Sequence, residues 1–356
     1  MRGIMPLFLF EVKQMKKWLV ALTFMLCALS IYAVYHNHAW YGDTIVKVTA
    51  TQVVETMELE QDKQYVQQLT AVDQAGKSYT LYNTYSDSRA FDQNYTRGDE
   101  LFIADDHILG VKRDKYIVIA AWLFIAMLVV VGRKQGVYSL MSFGVNVVIL
   151  VAAITVYVRY EHVSLLLVSA IAVVLFAVIS IVMVNGRSQK ATAALIATLL
   201  GTGIAFSVAA LAMFVTKQEG LHYEEMQFLT RPYHTVFLAG LLIGSLGAVM
   251  DVAITMTSAL FSMQHTATLD EIKQSGREIG KDIMGTITNI LFFAYVSGSI
   301  PMLLLYFKNG LPFGYTLSMN LSLEIARALA GGIGVVSTIP ISLYISLWLM
   351  QRKQVQ

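Results

Sequence analysis

Residues 247–260 read GAVMDVAITMTSAL, an apolar run of small and branched residues that contains one carboxylate, Asp251. An apolar run of this kind is typical of a helix that crosses a membrane. An ionisable side chain within such a helix costs roughly 2.5–3.5 kcal/mol on the insertion scale, and it usually marks an ion, proton or substrate pathway. Asp251 is therefore the first candidate site residue.

The composition of the whole chain agrees with a membrane protein. Of its 356 residues 56% are hydrophobic and 14% are charged, whereas soluble domains have about 25% charged residues. The net charge of +2 is too small to indicate a nucleic-acid partner. With Cys27 as its one cysteine, the chain can form neither an internal disulfide nor a cysteine metal site, and no motif indicates a cofactor.

Eight apolar runs are long enough to cross a bilayer, which takes about 20 helical residues. The first also resembles a secretory signal with a weak cleavage site at Ala28-Leu29-Ser30, although its length favours an uncleaved anchor. We therefore predict an α-helical polytopic membrane protein with about eight transmembrane helices. The runs lie near residues 18–35, 116–132, 137–158, 163–185, 191–214, 235–258, 284–307 and 328–350.

Lysine and arginine are concentrated in alternate loops, which sets the orientation of a membrane protein. This bias predicts that both termini are cytoplasmic and that residues 36–115 are extracytoplasmic. The inner set is Arg2, Lys13, Lys16, Lys17, Arg133, Lys134, Arg187, Lys190, Lys273, Arg277, Lys281, Arg352 and Lys353. The short outer loops contain Arg159, Lys217, Arg231, Lys308 and Arg327.

Residues 36–115 differ in character from the rest of the chain: they are polar and broken into short β-like runs. Strands are predicted at 44–58, 65–72, 78–85 and 101–103 from their β-branched residues and the turns between them. We predict a small antiparallel barrel or sandwich, of which an OB-like barrel is one form. The domains are then 1–35, the cytoplasmic N-terminus with the first helix; 36–115, the β-rich domain; and 116–356, a seven-helix membrane domain.

The tyrosines of this β-rich domain have two interpretations. They could stack on a ligand, but aromatic residues more often fill barrel cores and cross-strand pairs. The core interpretation is therefore preferred. The residues are Tyr65, Tyr79, Tyr82, Tyr85 and Tyr95.

Small and polar residues recur at helical spacing on the last three spans, so that each span has one polar face. Glycines on such faces allow another helix to approach closely. The sixth span carries Gly240, Gly244, Gly247, Asp251, Thr255 and Ser258. The seventh carries Asp282, Gly285, Thr286 and Asn289, and the eighth carries Glu324, Arg327, Gly331, Gly334, Thr338 and Ser342.

Two alternatives remain open for these polar residues. Asp251 and Asn289 are predicted to lie at similar depth, where they could share a site, or Asp251 could simply hold helices together through a hydrogen bond. Asp282 is expected at least a third of the bilayer away in depth. Glu324 and Arg327 are expected to form an ion pair near the outer surface. Asn146, Thr198 and Thr202 are expected to hydrogen-bond between helices.

Three blocks resemble the bacterial YibE/F-like membrane proteins. They are Gly247 to Ala253, Gly280 to Asn289 with Ala294-Tyr295, and Glu324 to Arg327 followed by Gly332-Ile333-Gly334 and Ile339-Pro340. The resemblance covers about residues 115–350, and the polar domain is similar to that of the longer, YibE-like members. It implies a bacterial cell membrane protein, often encoded beside a shorter relative, which suggests a hetero-complex; a homo-oligomer is the other option.

The expected function is that of a permease or export component. In this hypothesis the sixth to eighth spans form a polar path in which Asp251 carries or coordinates a proton or cation, helped by Asn289, Thr255, Thr286 and Asp282. The alternative is a non-transporting scaffold or sensor whose outer domain binds a cell-wall or protein ligand. No Walker, HExxH or GxSxG motif is present, so no enzymatic activity is expected.

Overall fold

The computed structural model describes residues 17–36, 41–59, 62–87, 92–160, 162–223 and 232–354. The chain divides into two compact units, residues 1–136 and 137–356. Four of the basic residues used to predict the orientation lie outside the described residues: Arg2, Lys13, Lys16 and Arg231.

The first unit contains helix α1 (Lys17–His36) and five strands. The strands are β1 (Thr44–Leu59), β2 (Asp62–Asp73), β3 (Ser78–Ser86), β4 (Glu100–Ala104) and β5 (His107–Val111). They form one antiparallel sheet in the order β3-β2-β1-β4-β5. The four predicted strands are confirmed, and β5 is an addition that the sequence pattern did not reveal.

The sheet curls into a half-barrel. Strand β1 has irregular pairing between Val48 and Ala50 and between Val53 and Glu55, and such bulges bend a strand and increase its twist. The two edge strands, β3 and β5, consequently approach each other. The strands are therefore curved around a single core.

That core is built from alternate residues of the strands and from Tyr95, which lies between β3 and β4. Its buried side chains are Val46, Val48, Leu69, Ala71, Leu81, Tyr95, Leu101 and Ile103. Tyr65 and Tyr85 stack across β2 and β3 with ring centroids 5.1 Å apart, whereas Tyr82 is exposed. The tyrosines thus serve the core and cross-strand pairing at most of their positions, as the preferred interpretation expects.

A buried lysine closes the base of the half-barrel. The Lys112 side chain is 1% exposed, and its Nζ lies 3.5 Å from Glu100 and 3.2 Å from Asp114. It also donates a 3.0 Å hydrogen bond to the carbonyl of Val34 near the end of α1. Tyr41 donates to the same Asp114 carboxylate, and this hydrogen bond, with burial, raises the pKa of Tyr41 to about 12.

Replacing Lys112 by Met is expected to destabilise the half-barrel by roughly 3 kcal/mol, because it leaves two carboxylates without their cation. This value is at the lower end for a broken buried ion pair, since Glu100 and Asp114 retain some solvent contact. The measurement is limited proteolysis of the full chain in increasing urea, following cleavage within residues 41–113. Lys47→Met is the control, since Lys47 is exposed on β1. Equal resistance of both variants would contradict the role assigned to Lys112.

Six further helices follow: α2 (Asp114–Arg159), α3 (Leu165–Asn185), α4 (Gln189–Val215), α5 (Tyr233–Ser262), α6 (Leu269–Lys308) and α7 (Phe313–Gln354). Each is long and apolar enough to cross a membrane. The apolar segment of α1, Met25–Val34, is shorter than the membrane-spanning segments of these six helices. The prediction of a mostly helical membrane protein with a small β-domain after the first helix is confirmed.

The helix count differs from the prediction, because the described residues form seven helices rather than eight. The runs predicted at 116–132 and 137–158 both lie within α2, whose 46 residues continue through Arg133 despite that residue's non-helical backbone (φ 50°, ψ −126°). No proline stands in Gly132-Arg133-Lys134-Gln135-Gly136 to end the helix. In a straight helix, positions eight residues apart are about 12 Å apart along the axis. Here a Cβ on Gly136 would lie only 2.0 Å from the carbonyl oxygen of Leu128. The backbone therefore turns sharply at Arg133.

Helix α6 begins at a capping box. The Thr268 hydroxyl accepts a hydrogen bond from the backbone of Glu271, and the Glu271 carboxylate accepts one from the backbone of Thr268. Together the two hydrogen bonds satisfy free backbone groups at the start of the helix. This helix is continuous with the seventh predicted span.

The second unit is held together where α4, α5 and α7 meet through glycines. A Cβ on Gly201 would lie 1.9 Å from Thr338 Oγ1 and 2.8 Å from Val249 Cγ1. A Cβ on Gly334 would lie 2.8 Å from Ala205 Cβ. Helices this close have no room for even one added methyl group, so the three helices are fixed in position and rotation.

Gly201→Ala is expected to lower stability by about 1–3 kcal/mol, because the added methyl overlaps the β-branched Thr338, which cannot swing away. Gly203→Ala is the matched control: Gly203 lies on the same helix with nothing within 4 Å of its Cβ position. It is expected to be neutral or stabilising by up to about 1 kcal/mol. Thermal unfolding of the two purified variants checks the difference, and similar melting temperatures would refute it.

Candidate functional site

Helix α5, the sixth predicted span, buries its large side chains and leaves its small polar face uncovered. Its buried residues include Phe237, Leu241, Val249, Val252, Met256 and Leu260. Gly240, Gly244, Gly247, Asp251 and Thr255 are exposed within the second unit, and Ser258 is half-buried. We call these six residues the α5 polar face.

Asp251 lies about four residues, or ~6 Å, from the middle of α5. Its carboxylate has no hydrogen bond or ion pair to any part of the chain that the structure describes. A carboxylate at this depth, exposed on the side of an apolar helix, would face lipid if nothing else covered it. The α5 polar face is thus the most unusual feature of the second unit.

Three contacts set the register between α5 and α6, the seventh predicted span. Gly276 packs against Leu260, Gly280 lies near Met256, and Gly244 faces the Tyr295 hydroxyl, 2.9 Å from the Cβ position. The helices therefore run antiparallel, with Asp251 level with residues 285–288. Asn289 consequently lies within about one helical turn of Asp251 in depth, as expected.

The candidate residues of α6 are likewise uncovered. Asp282, Gly285, Thr286 and Asn289 are all exposed, and the Thr286 hydroxyl donates to the carbonyl of Asp282. Within the described chain no hydrogen bond joins Asp251 to Asn289, so one chain does not assemble them into a direct pair. Both residues remain candidates for a site that a second molecule completes.

Asp282 lies closer in depth to Asp251 than predicted from the sequence. The same contacts place Asp282 level with residues 254–255, about 5 Å further along α5. This is less than the expected third of a bilayer, because α6 begins well before its apolar run and packs on α5 from Gly276 onward. Asp282 is therefore part of the same exposed region.

The glycines expected to allow close helix approach differ in what they contact. Gly334 packs tightly on Ala205, and Gly331 makes an ordinary 3.6 Å contact with Leu291. Nothing within the described chain lies within 4 Å of the Cβ positions of Gly240, Gly247 and Gly285. These three glycines leave space on the outside of the unit, where another helix could fit.

Glu324 and Arg327 form the ion pair expected on α7, the eighth predicted span. Both side chains are about one-fifth exposed. The Arg327 guanidinium also lies 5.1 Å from the ring centroid of Phe237 on α5. The pair therefore helps to join the start of α5 to the first half of α7, a structural role.

A row of buried hydroxyls lies between α4 and α7. Thr198, Thr202, Thr338, Ser342 and Ser346 are each no more than 1% exposed. Thr338 donates to the carbonyl of Gly334, whereas the other four hydroxyls have no partner among the described residues. Thr198 and Thr202 thus lack the interhelical hydrogen bonds predicted for them, while Asn146 donates to Ser180 on α3 at 2.8 Å as predicted. Ser346 was missed because one serine in an apolar run gives no signal.

The chain matches two protein-family profiles: the one described as YibE/F-like protein over residues 120–352, and the one described as YibE/F family N-terminal domain over residues 39–113. The chain belongs to the YibE/F-like family. No curated protein and no solved structure matches it. The predicted resemblance to the YibE/F-like family is confirmed, and the blocks that carried it meet in the structure: Gly280 of the second block packs against Ile339 of the third.

Proposed function

We propose that this YibE/F-like protein is a permease or export component in which Asp251 carries or coordinates a proton or cation. The observation that supports the proposal is the α5 polar face, an uncovered ionisable group with small neighbours in a membrane-spanning helix. Ionisable groups at such positions generally serve transport. Asn289, Thr255, Thr286 and Asp282 supply further polar atoms at neighbouring depths.

The proposed topology has eight spans in the bacterial cell membrane, with cytoplasmic termini and an extracytoplasmic half-barrel. The sharp turn of α2 at Arg133 supports two spans within that helix, since a straight helix of 46 residues would extend ~69 Å. The hydrocarbon core is only about 30 Å thick. Arg133 and Lys134 then lie on the cytoplasmic side, as the positive-inside rule requires.

A second membrane chain is proposed to cover the α5 polar face. Exposure of Asp251 to lipid is costly, and the open glycine positions 240 and 247 suit close packing with another helix. The candidates are a shorter related membrane protein and a second copy of this chain. In either complex the polar path would lie between α5, α6 and the partner, and no enzymatic step is proposed.

A scaffold or sensor is the second candidate function, and one feature of the half-barrel favours it. An open, mainly polar recess of about 450 Å³ is lined by Asn83, Thr84, Asp92, Gln93, Tyr95, Leu109, Gly110, Val111 and Arg113. A cell-wall or protein ligand could bind there. In this alternative the polar faces of α5 and α6 serve only helix packing.

Asp251→Asn is expected to abolish the transport phenotype while leaving folding unchanged, because the amide keeps hydrogen bonding but cannot ionise. The measurement is the ion and metabolite content of cells with wild type, a deletion, Asp251→Asn or Asp251→Glu, at matched membrane abundance. Asp251→Glu, which keeps the charge, should retain part of the activity.

The scaffold alternative gives a different result in that experiment. If the deletion changes the content of a solute and Asp251→Asn behaves as wild type, Asp251 only holds helices together. Function would then be sought in the half-barrel recess.

Gly247→Leu is expected to abolish association with the covering chain without changing the monomer fold, because its Cβ position is empty within the chain. Two differently tagged copies, and separately the shorter relative, are tested for co-purification from membranes. Gly203→Leu is the control, since its Cβ position is equally open on a different helix. Association that survives Gly247→Leu, or is lost equally in the control, would count against the proposed interface.

A further inference from the structure

A groove of about 840 Å³ lies between the first turns of α6 and the second half of α7. It is separate from the α5 polar face, and the permease proposal does not use it. Its lining residues are Asp270, Lys273, Gln274, Arg277, Glu278, Gly280, Lys281, Met284, Val336, Ile339, Pro340, Leu343 and Tyr344. The α6 residues at one side are mostly charged, and those of α7 are mostly apolar.

The basic residues of the groove form a row along α6. Lys273, Arg277 and Lys281 follow one another at intervals of four, so they lie on one face of the helix. Opposite them, Val336, Ile339 and Leu343 of α7 provide an apolar floor. The groove is therefore amphipathic, with cations along one edge of a hydrocarbon surface.

Two of these cations have no carboxylate partner in the described part of the chain. Lys281 pairs with Glu278 at 3.0 Å, whereas Lys273 lies only over the Tyr344 ring, 6.0 Å from its centroid. Arg277 has neither contact. Asp270, the other carboxylate of the lining, forms no ion pair there either. Charge complementarity thus favours an anion at Arg277 and Lys273.

Aromatic residues place the groove at a membrane surface. Tyr344 and Trp348 are four residues apart on α7 and each is more than half exposed. Arg352, one turn further, lies 5.0 Å from the Trp348 ring centroid. Exposed Tyr and Trp beside basic residues are typical of the interface between hydrocarbon and water. The groove therefore lies at the depth of lipid headgroups.

We propose that this groove binds an anionic phospholipid from the cytoplasmic leaflet. Arg277 and Lys273 hold its phosphate, because guanidinium and ammonium groups form strong charge-assisted hydrogen bonds with phosphate oxygens. The first part of an acyl chain lies on Val336, Ile339 and Leu343. A free phosphate would leave this floor uncovered, which is why the groove suits a lipid better than a soluble anion.

The test is native mass spectrometry of the full chain in detergent, titrated with phosphatidylglycerol or with phosphatidylcholine of the same acyl chains. Phosphatidylglycerol is expected to bind at least about tenfold more tightly to wild type than to the Lys273→Gln/Arg277→Gln double variant, since each cation near an anionic lipid contributes about a factor of five. Arg277→Lys should keep most of the binding. Arg187→Gln/Lys190→Gln, which removes two cations outside the groove, should bind as wild type.

Three outcomes would overturn the proposal. Equal binding of phosphatidylcholine would remove the need for an anionic headgroup. An equal loss in the Arg187→Gln/Lys190→Gln control would show that total charge, rather than the groove, determines binding. Displacement of the lipid by an excess of inorganic phosphate would indicate a site for small anions alone. The size-exclusion profile of each variant verifies that it is folded.

Discussion

The close contact of α4, α5 and α7 at Gly201, Gly334 and Val249 determines the arrangement of the second unit. Val249 lies in the space that a side chain at Gly201 would occupy, which fixes the rotation of α5 about its axis. Asp251 is two residues later, and two helical steps of about 100° turn it to the opposite side. The exposure of the carboxylate is therefore a direct consequence of packing between glycines on other helices, and not of loose structure around it.

The sequence predicted the type of most elements, although it missed β5. Long apolar runs identified the membrane helices, and β-branched runs between turns identified β1 to β4, because both signals are local. The sequence was less informative about features that depend on contacts between residues far apart in the chain. Arg133 and Lys134 indicated a loop, whereas the structure has a single sharp turn at Arg133 between two helical segments. Lysine is seldom buried, and only the folded chain brings Val34, Glu100 and Asp114 to Lys112.

The candidate site was likewise only partly predictable from the sequence. Helical periodicity placed Asp251 with three glycines on one face of α5, but periodicity does not say whether that face turns inward or outward. By contrast, Ser342 and Ser346 are polar residues within an apolar run, and both are buried. The hydroxyls of Ser342 and Ser346 on α7 thus lie inside the unit, whereas the carboxylates of Asp251 on α5 and Asp282 on α6 lie outside. The basic groove between α6 and α7 was missed because its apolar residues lie on a different helix, far along the chain from its basic residues.

The buried Lys112 also has a consequence for the order in which the protein assembles during synthesis. Its partners Val34, Glu100 and Asp114 belong to α1, β4 and the first turn of α2. The ribosome makes the last of them only after every strand is complete, so the base of the half-barrel cannot close before the next helix has begun. A nascent chain interrupted between residues 104 and 112 would have the four strands β1 to β4 and still lack the cation that joins them to α1.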